Sequence, residues 1–398
     1  MSKTFADLSM ETFGQISEER KRRFASASDE ALPKTFPVNE LAKKLHPNRQ
    51  YMKVARITQM CDDAKCYRLV PDADHGTTEC AYFEAGQYLN VFLDINGMAV
   101  NRAYSISSSP KDALNGFYEL TIKAVQDGLV SNYIFDNWKE GDKVEISGPS
   151  GFFTYSKIRD AKTVVGVAGG SGITPFLSMA KDIVSGNRDF NLVILYGSRS
   201  SEGILYKKEF DELSAESNKI QVVHVLSNEE KEGYEYGFIS EEIIKKYAPK
   251  DAPYSVFMCG PQVMYQFVDK ELQNMQLEKK YIRHELFGEV HNPNSQLDYP
   301  GTKNTSVKIT VTIRDTTKTI IADPNDTIMH SLEKNGIAVP SRCRSGECGF
   351  CHSVLQSGEV YIPKSVDGRR LADFKFNRIH PCVSFPLSDI EIEVPASK

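Results

Sequence analysis

The chain has 398 residues, of which 25% are charged and 40% hydrophobic, and a formal net charge of −5. That length predicts about two to four domains with cores of their own, and a mildly acidic balance without a basic run argues against nucleic-acid binding. No apolar stretch approaches the ~18 residues needed to span a bilayer, and the opening MSKTFADLSMETFGQ lacks the charged-then-apolar plan of a signal peptide.

Residues 1–46 form a charged extension that includes SEERKRR at 17–23. It predicts one or two short helices ended near Pro33 and Pro37. Such an arm is either solvated and partly ordered or a docking segment for another subunit. From Tyr51 the pattern becomes short alternating segments: KVARITQM, CYRLVP, QYLNVFLDI, AYSISS, FYELTIKAV and DKVEISGP. Turn residues separate them, so residues 47–158 predict an antiparallel β-barrel or sandwich. One helical stretch, LVSNYIFDNW, interrupts it. Cys61, Cys66 and Cys80 read as structural cysteines of this region.

RAYSISSSP at 102–110 places a guanidinium, an aromatic ring and a hydroxyl on one strand. Arg102 can hold a pyrophosphate bidentately. Tyr104 can stack on a ring system, and Ser105 can bond its polar edge. QDGLVSNYI sets Gly128, Val130, Ser131 and Asn132 at a helix start, an anion site by geometry. GPSGFF at 148–153 follows as a turn. In this order the three resemble the R-x-Y-S-x-x-S, G-x-x-S and P-x-G-x-F motifs of the ferredoxin–NADP reductase superfamily, whose barrel binds flavin. The resemblance implies cofactor contacts from Arg102, Tyr104, Ser105, Ile106, Ser107, Gly128, Val130, Ser131 and Asn132, with Tyr104 and Ser105 at the reacting ring. The glycine-serine motif at a helix start favours FAD over FMN.

Residues 159–286 alternate apolar strands with helices: TVVGVAGG, ITPFLSMAKDIV, NLVILYGS, ILYKKEFDELS, QVVHVLS, YSVFMCG and PQVMYQFVDKEL. That alternation predicts an α/β domain with a parallel sheet covered on both faces. Gly169, Gly170, Gly172 and Thr174 form a strand–loop–helix junction that dinucleotide phosphates could approach. It is not G-x-G-x-x-G, and no acidic residue sits at the place expected of that fingerprint. Cys259 alone would read as a buried strand cysteine. Both GVAGGSGITPF and FMCGPQVMY resemble the nicotinamide domain of the same superfamily. The resemblance sets Thr174 and Cys259 beside the nicotinamide, Cys259 in the reacting group, and Gly260 and Pro261 around its slot. Ser198, Arg199 and Tyr206 could clasp a 2′-phosphate, with Lys207 and Lys208 adding positive charge. These tilt the choice to NADPH, although NADH-using relatives carry a similar residue.

LFGEVHNPNSQLDYPGTKN, with no periodicity, makes 287–304 a linker. Phe287 would anchor it or cover the flavin. Residues 305–398 open with a hairpin-like pair, KITVTI and KTIIA, then a helix at TIMHSLEKN with Asp326 as N-cap and Gly336 beyond its end. SRCRSGECGFC follows, with Cys343, Cys348 and Cys351 at C-x4-C-x2-C spacing and Cys382 further on. Gly346 and Gly349 let the backbone bend round the sulfurs. Structural zinc more often uses two C-x2-C pairs, and a disulfide needs an oxidising compartment. The spacing is the plant-type 2Fe–2S ligand pattern, and the region resembles a β-grasp ferredoxin. Eight cysteines used this way fit a reducing cytoplasm, the expected location.

Over about residues 50–398 the chain resembles the flavin-first, ferredoxin-last reductases that feed Rieske oxygenases, diiron hydroxylases and hybrid-cluster proteins. The expectation is a multidomain NAD(P)H oxidoreductase. A hydride would pass to FAD, single electrons to the 2Fe–2S cluster, then onward to a separate acceptor protein. No Ser-His-Asp, H-E-x-x-H or paired-carboxylate grouping suggests chemistry on a substrate. A reductase acting on a small molecule and an electron-carrier subunit stay open as alternatives. Arg342, Arg344, His352, Lys364, Arg369, Arg370, Lys375 and Arg378 make the cluster region basic. They form either a solvated loop or a face near Arg342 and Arg344 on which an acidic acceptor docks. VDGRRLADFKFNRIHPC departs from the acidic, glycine-containing run common in the family.

Overall fold

The fold is that of a computed structural model, which describes residues 10–31, 34–126, 128–285, 290 and 292–396. The extension forms one unit and Leu45–Lys398 another. Within the extension, helix α1 (Met10–Ala25) sets Glu18 and Glu19 ahead of Lys21, Arg22 and Arg23, giving ion pairs three and four residues apart. Helix α2 (Pro37–Leu45) begins on Pro37 instead of ending there. Proline lacks an N–H that the first turn would not use, and its fixed φ suits a helix start. Pro33 lies outside the described residues.

The first sheet of the second unit is antiparallel: β1 (Gln50–Cys61), β2 (Ala64–Pro71), β3 (Tyr88–Ile95), β4 (Met98–Ser105), β5 (Tyr118–Lys123) and β6 (Lys143–Ile146). Its order is β4-β3-β6-β1-β2-β5, and an Ile106–Leu120 bridge joins the two ends into a barrel. Leu89, Val91, Tyr67, Leu69, Leu120 and Ile122 fill the inside, as period-two alternation requires. A short helix, α3 (Pro110–Leu114), is closed by a Ser109–Asp112 capping box. Helix α4 (Leu129–Asn137) buries Val130 and Ile134 against the same core.

The second sheet is wholly parallel: β7 (Thr163–Gly169), β8 (Asn191–Ser198), β9 (Ile220–Leu226), β10 (Glu235–Tyr236), β11 (Tyr254–Cys259) and β12 (Ile282–Glu285), ordered β10-β9-β8-β7-β11-β12. Alternate residues of each strand enter two cores. One takes Phe176 and Leu177 of α5 (Thr174–Val184) and Phe210 of α6 (Lys207–Glu216). The other takes Ile243 and Ile244 of α7 (Glu241–Tyr247) and Val268 and Leu272 of α8 (Gln262–Asn274). From β7 the chain winds outward to β8 and later returns to the other side at β11. This leaves a switch point at the carboxyl end of β7, where open α/β sheets bind ligands.

The third sheet joins β13 (Val307–Ile313), β14 (Thr316–Ala322), β15 (Ser353–Ser357), β17 (Arg378–Ile379) and β19 (Ile390–Glu393) in the order β14-β13-β19-β15-β17. A two-stranded ribbon pairs β16 (Val360–Tyr361) with β18 (Phe385–Pro386). β13 and β19 run parallel and the other pairs antiparallel, a mixed sheet around α9 (Ile328–Lys334). Helix α9 is capped by Thr327, whose hydroxyl accepts the His330 N–H at 3.1 Å, and not by Asp326. Asp326 pairs with Lys334 at 2.7 Å instead. The linker is docked where it is described. Asp298 accepts the Tyr361 hydroxyl at 2.7 Å and the Lys364 N–H at 3.0 Å, and Tyr299 rests on Tyr361. The last short helix, α10 (Leu371–Lys375), precedes β17.

Candidate functional site

The flavin-type motif lies on β4. Cross-strand register pairs Arg102 with Val91 and Tyr104 with Leu89, and Val91 and Leu89 belong to the barrel core. The opposite face carries Asn101, Ala103 and Ser105, partnered by Phe92, Asn90 and Tyr88. Arg102 is half-buried, and Tyr104 packs on the barrel core while burial pushes its phenol up. Gly128 caps α4 without any side-chain bond to the first turn, and a Cβ on it would press Ser131 Oγ and Val125 at 2.5 Å. Asn132 does not face outward alone: its Oδ1 accepts the Val125 N–H at 3.2 Å. Ile106 and Ser107 are wholly buried, and the Ser107 hydroxyl donates to the Glu119 carbonyl at 3.0 Å. Their N–H groups bond the Gln87 and Glu119 carbonyls within the barrel.

Asn90 was not legible in sequence. It is fully buried, yet neither atom of its amide has a hydrogen-bond partner. Buried polar groups are nearly always paired, so an open amide on the face of Ser105 and Tyr88 marks room for a polar ligand. A strand with a phosphate-clasping arginine and an uncapped helix start beside it are also features that a flavin dinucleotide fits.

At the switch point the Gly169–Gly172 turn lies against Cys259–Pro261. A Cβ on Gly169 would sit 2.8 Å from Met264 Sδ and 2.9 Å from Pro261 Cδ, and one on Gly172 would overlap the Cys259 carbonyl. The two bare loops form a cradle that side chains would fill, which fits a nicotinamide dinucleotide. Thr174 opens α5 and donates to the Ser171 carbonyl at 3.0 Å. Cys259 is buried, and burial pushes its thiol far up. Gly260 is held by its N–H to the Tyr265 hydroxyl at 2.9 Å, and that hydroxyl donates to the Glu285 carbonyl at 2.5 Å.

The proposed 2′-phosphate clasp does not assemble. Ser198 and Arg199 end β8, and Arg199 is exposed without an ion pair among the described residues. Tyr206 turns to the barrel and bonds Thr121, while Lys207 and Lys208 pair with Asp211 and Glu212 one helical turn on. Only two of the five residues remain at that edge, so the geometry does not carry the tilt to NADPH.

The cysteine loop brings its sulfurs together as two pairs. Cys351 and Cys382 lie 3.5 Å apart, and the Cys348 N–H points at Cys343 Sγ at 3.4 Å. The Phe350 N–H points at Cys348 Sγ at 3.5 Å. The Cys348 side chain and the N–H groups of Ser345 and Cys348 hold the Cys343 thiol below its usual value. Among the described residues no group of three or more His, Cys, Asp or Glu is arranged around a single ion. Two pairs of sulfurs suit two irons better than one zinc. Gly346 adopts φ 83°, and a Cβ there would overlap the Val366 carbonyl, so only glycine allows this bend. Cys343, Cys351 and Cys382 are buried, and Cys348 is exposed.

Arg344 departs from its expected place on a docking face. It is 2% exposed and forms a bidentate pair with buried Glu333 at 2.7 and 2.8 Å. Phe287 lies outside the described residues. Glu285, at the end of β12, is a second site residue without a sequence signal. Burial, then the charges of Glu347 and Cys343, pushes its carboxyl well above the usual carboxylate range. Burial first, then Cys348, Cys343 and Glu285, raises the Tyr88 phenol. The start of β3, the end of β12 and the cysteine loop therefore converge on one region. Fold and site together define a flavin- and iron–sulfur-dependent oxidoreductase with a nicotinamide cradle.

Comparison with known proteins agrees module by module. Residues 51–155 match the oxidoreductase FAD-binding domain, 167–270 the oxidoreductase NAD-binding domain, and 311–387 the 2Fe-2S iron-sulfur cluster binding domain. The glycine betaine monooxygenase reductase subunit of Pseudomonas aeruginosa is 29% identical over 325 residues, covering 78% of this chain and 87% of that one. NADH-cytochrome b5 reductase 1 of Dictyostelium discoideum is 34% identical over 200 residues, 50% of this chain and 68% of its own. The structure of phthalate dioxygenase reductase superposes with a TM-score of 0.62 at 26% identity, covering 87% of this chain and 98% of that one. The chain belongs to the ferredoxin–NADP reductase superfamily, in its group with a C-terminal plant-type 2Fe–2S domain. No described helix is long and apolar enough to cross a membrane.

Proposed function

We propose that this chain accepts electrons from a nicotinamide dinucleotide at the Gly169–Thr174 and Cys259–Pro261 cradle and delivers them singly to a separate oxygenase-type protein. The observation that carries this reading is the convergence of flavin strand, nicotinamide cradle and cysteine loop on Tyr88 and Glu285. It is supported by relatives that are the reductase parts of oxygenase systems. When bound, FAD exchanges electrons in pairs or singly and the 2Fe–2S cluster singly.

The chain's own residues bind, orient and exclude water. Arg102 and the first turn of α4 hold the pyrophosphate, with Gly128 giving the backbone access. Tyr104 packs on the ring system, and Ser105 and Asn90 bond its polar edge. Gly169, Gly170 and Gly172 admit the nicotinamide dinucleotide, Thr174 and Cys259 flank its reacting end, and Gly260 and Pro261 fix the slot. Glu285 is buried on the strand position paired with Cys259. Cys343 and Cys348 form one ligand pair and Cys351 and Cys382 the other. Ser198 and Arg199 read the adenosine end.

The protein works in the cytoplasm, where its thiols stay reduced. The acceptor meets the exposed edge at Cys348 and Phe350, where Arg342 stacks on Phe350 at 4.2 Å and Arg370 and Lys375 are exposed. Acceptor reduction should therefore slow as salt rises, and a rate indifferent to salt removes the charged face from the account. The function is tested with Cys382→Ser. Nicotinamide should still bleach the flavin, while reduction of cytochrome c, a one-electron protein probe, falls to background. Full cytochrome reduction without the cluster would favour a reductase whose acceptor is served by the flavin directly.

A further inference from the structure

β4 has two uses, one on each face. Its Arg102 and Tyr104 share one face, and its Asn101, on the other, reaches the loop that carries the cluster cysteines. Asn101 is buried and bonds Ser341 in both directions. Its Nδ2 donates to the Ser341 carbonyl at 3.1 Å, and its Oδ1 accepts the Ser341 hydroxyl at 2.6 Å. The same Oδ1 faces Arg344 Nη1 at 3.5 Å, and Arg344 Nη1 also approaches Ser341 Oγ at 3.4 Å. Ser341 and Arg344 stand on either side of Cys343. Arg344 carries the connection to Glu333 on α9.

Only an amide can complete this set. A carboxylate at position 101 could not donate to the Ser341 carbonyl, and an apolar side chain would leave the buried Ser341 hydroxyl and carbonyl unserved. Every other member of the network belongs to the cluster domain. Among the described residues Asn101 is its contribution from the barrel, one residue away from Arg102.

We propose that Asn101 is a positioning residue that pins the cluster loop to the flavin-binding strand and thereby sets the rate of the internal electron step. This rests on the function proposed above. The pin itself is a statement about the domain junction and can be tested without turnover. Electron transfer falls steeply with separation, so a loop that is freed by even a small displacement hands electrons on more slowly. The step before it, reduction of the flavin by nicotinamide, involves none of these residues.

The test uses the holoprotein and the variants Asn101→Ala, Asn101→Leu and Asn101→Gln. Anaerobic stopped-flow with NADH resolves flavin bleaching from the later appearance of reduced cluster. In the Ala and Leu variants bleaching should keep its wild-type rate, while cluster reduction slows about tenfold or more. Gln, which keeps the amide, should recover part of that loss. Amide hydrogen exchange on the oxidised protein should show faster exchange at 341–345, with the iron content unchanged. Wild-type cluster reduction in both Ala and Leu would overturn the proposal, as would equal slowing of the two phases. If NADH fails to bleach even the wild type, the function proposed above falls. Exchange then decides the pin alone: protection kept in Ala and Leu overturns it, and protection lost in those two only supports it.

Discussion

Arg344 and Glu333 bury two opposite charges between α9 and the cysteine loop, each at most 4% exposed. Such a pair adds little net stability, but removing one partner strands the other in a poorly solvated place. Arg344→Ala should cost about 3–5 kcal/mol in urea unfolding. The double change Arg344→Met with Glu333→Leu should recover most of it, because neither charge is then left alone. At this scale the sequence was informative wherever a residue acts through its own chemistry. Four cysteines at cluster spacing could be read directly, while the glycines of the cradle and Arg102 gained a role only through the family resemblance. Asn90, Asn101 and Glu285 could not be read. Their meaning depends on what lies opposite, and Asn101 meets Ser341 across 240 positions of chain. Arg344 was misread for the same reason: beside a ligand cysteine it looks like a surface cation, and only its partner Glu333 places it indoors.

The elements of the nucleotide domain are held at both ends. At the carboxyl ends, Gly172 lies so close to the Cys259 backbone that Gly172→Ala must push β7 and β11 apart. The expected cost is about 1–3 kcal/mol, together with weaker nicotinamide binding measured by fluorescence titration. At the amino ends, Asp189 before β8 pairs with Lys162 before β7 at 2.5 Å and with Lys219 before β9 at 2.6 Å. Hydrogen bonds from those lysines, with their charge, lower its carboxyl to about 2. A depressed carboxylate stabilises the fold above its unfolded value near 3.8 and loses that contribution as pH falls toward 2. The melting temperature of Asp189→Asn should therefore lie below wild type at neutral pH and meet it only below about pH 2. Element types were readable because strands and helices alternate with clear periods. Ends were less so, since Pro37 and Thr327 compete with neighbours of similar capping ability, and backbone geometry decides between them.

At the scale of the molecule, the barrel and the nucleotide domain share an apolar seam, where Phe153 meets Phe176 and Phe257 and Tyr155 stacks on Phe190, and polar contacts add to it. Ser178 of α5 donates to the Ser108 carbonyl at 2.7 Å, and Lys181 meets Glu119 of β5 at 3.8 Å, joining nucleotide domain to barrel. Asn101 joins barrel to cluster loop. The order of modules could be read from motif order along the chain. How they face one another could not, because the contacts that fix it join residues far apart in sequence. The central claim is that one chain connects a nicotinamide cradle, a flavin strand and a four-cysteine site into one route for electrons. It is tested most directly by anaerobic titration of the holoprotein with NADH, following flavin absorbance and the paramagnetic signal of the cluster in the same sample. Flavin bleaching is expected together with a rhombic one-electron cluster signal that is absent from Cys382→Ser. Flavin that stays oxidised, or bleaches while the cluster signal never forms, would contradict it.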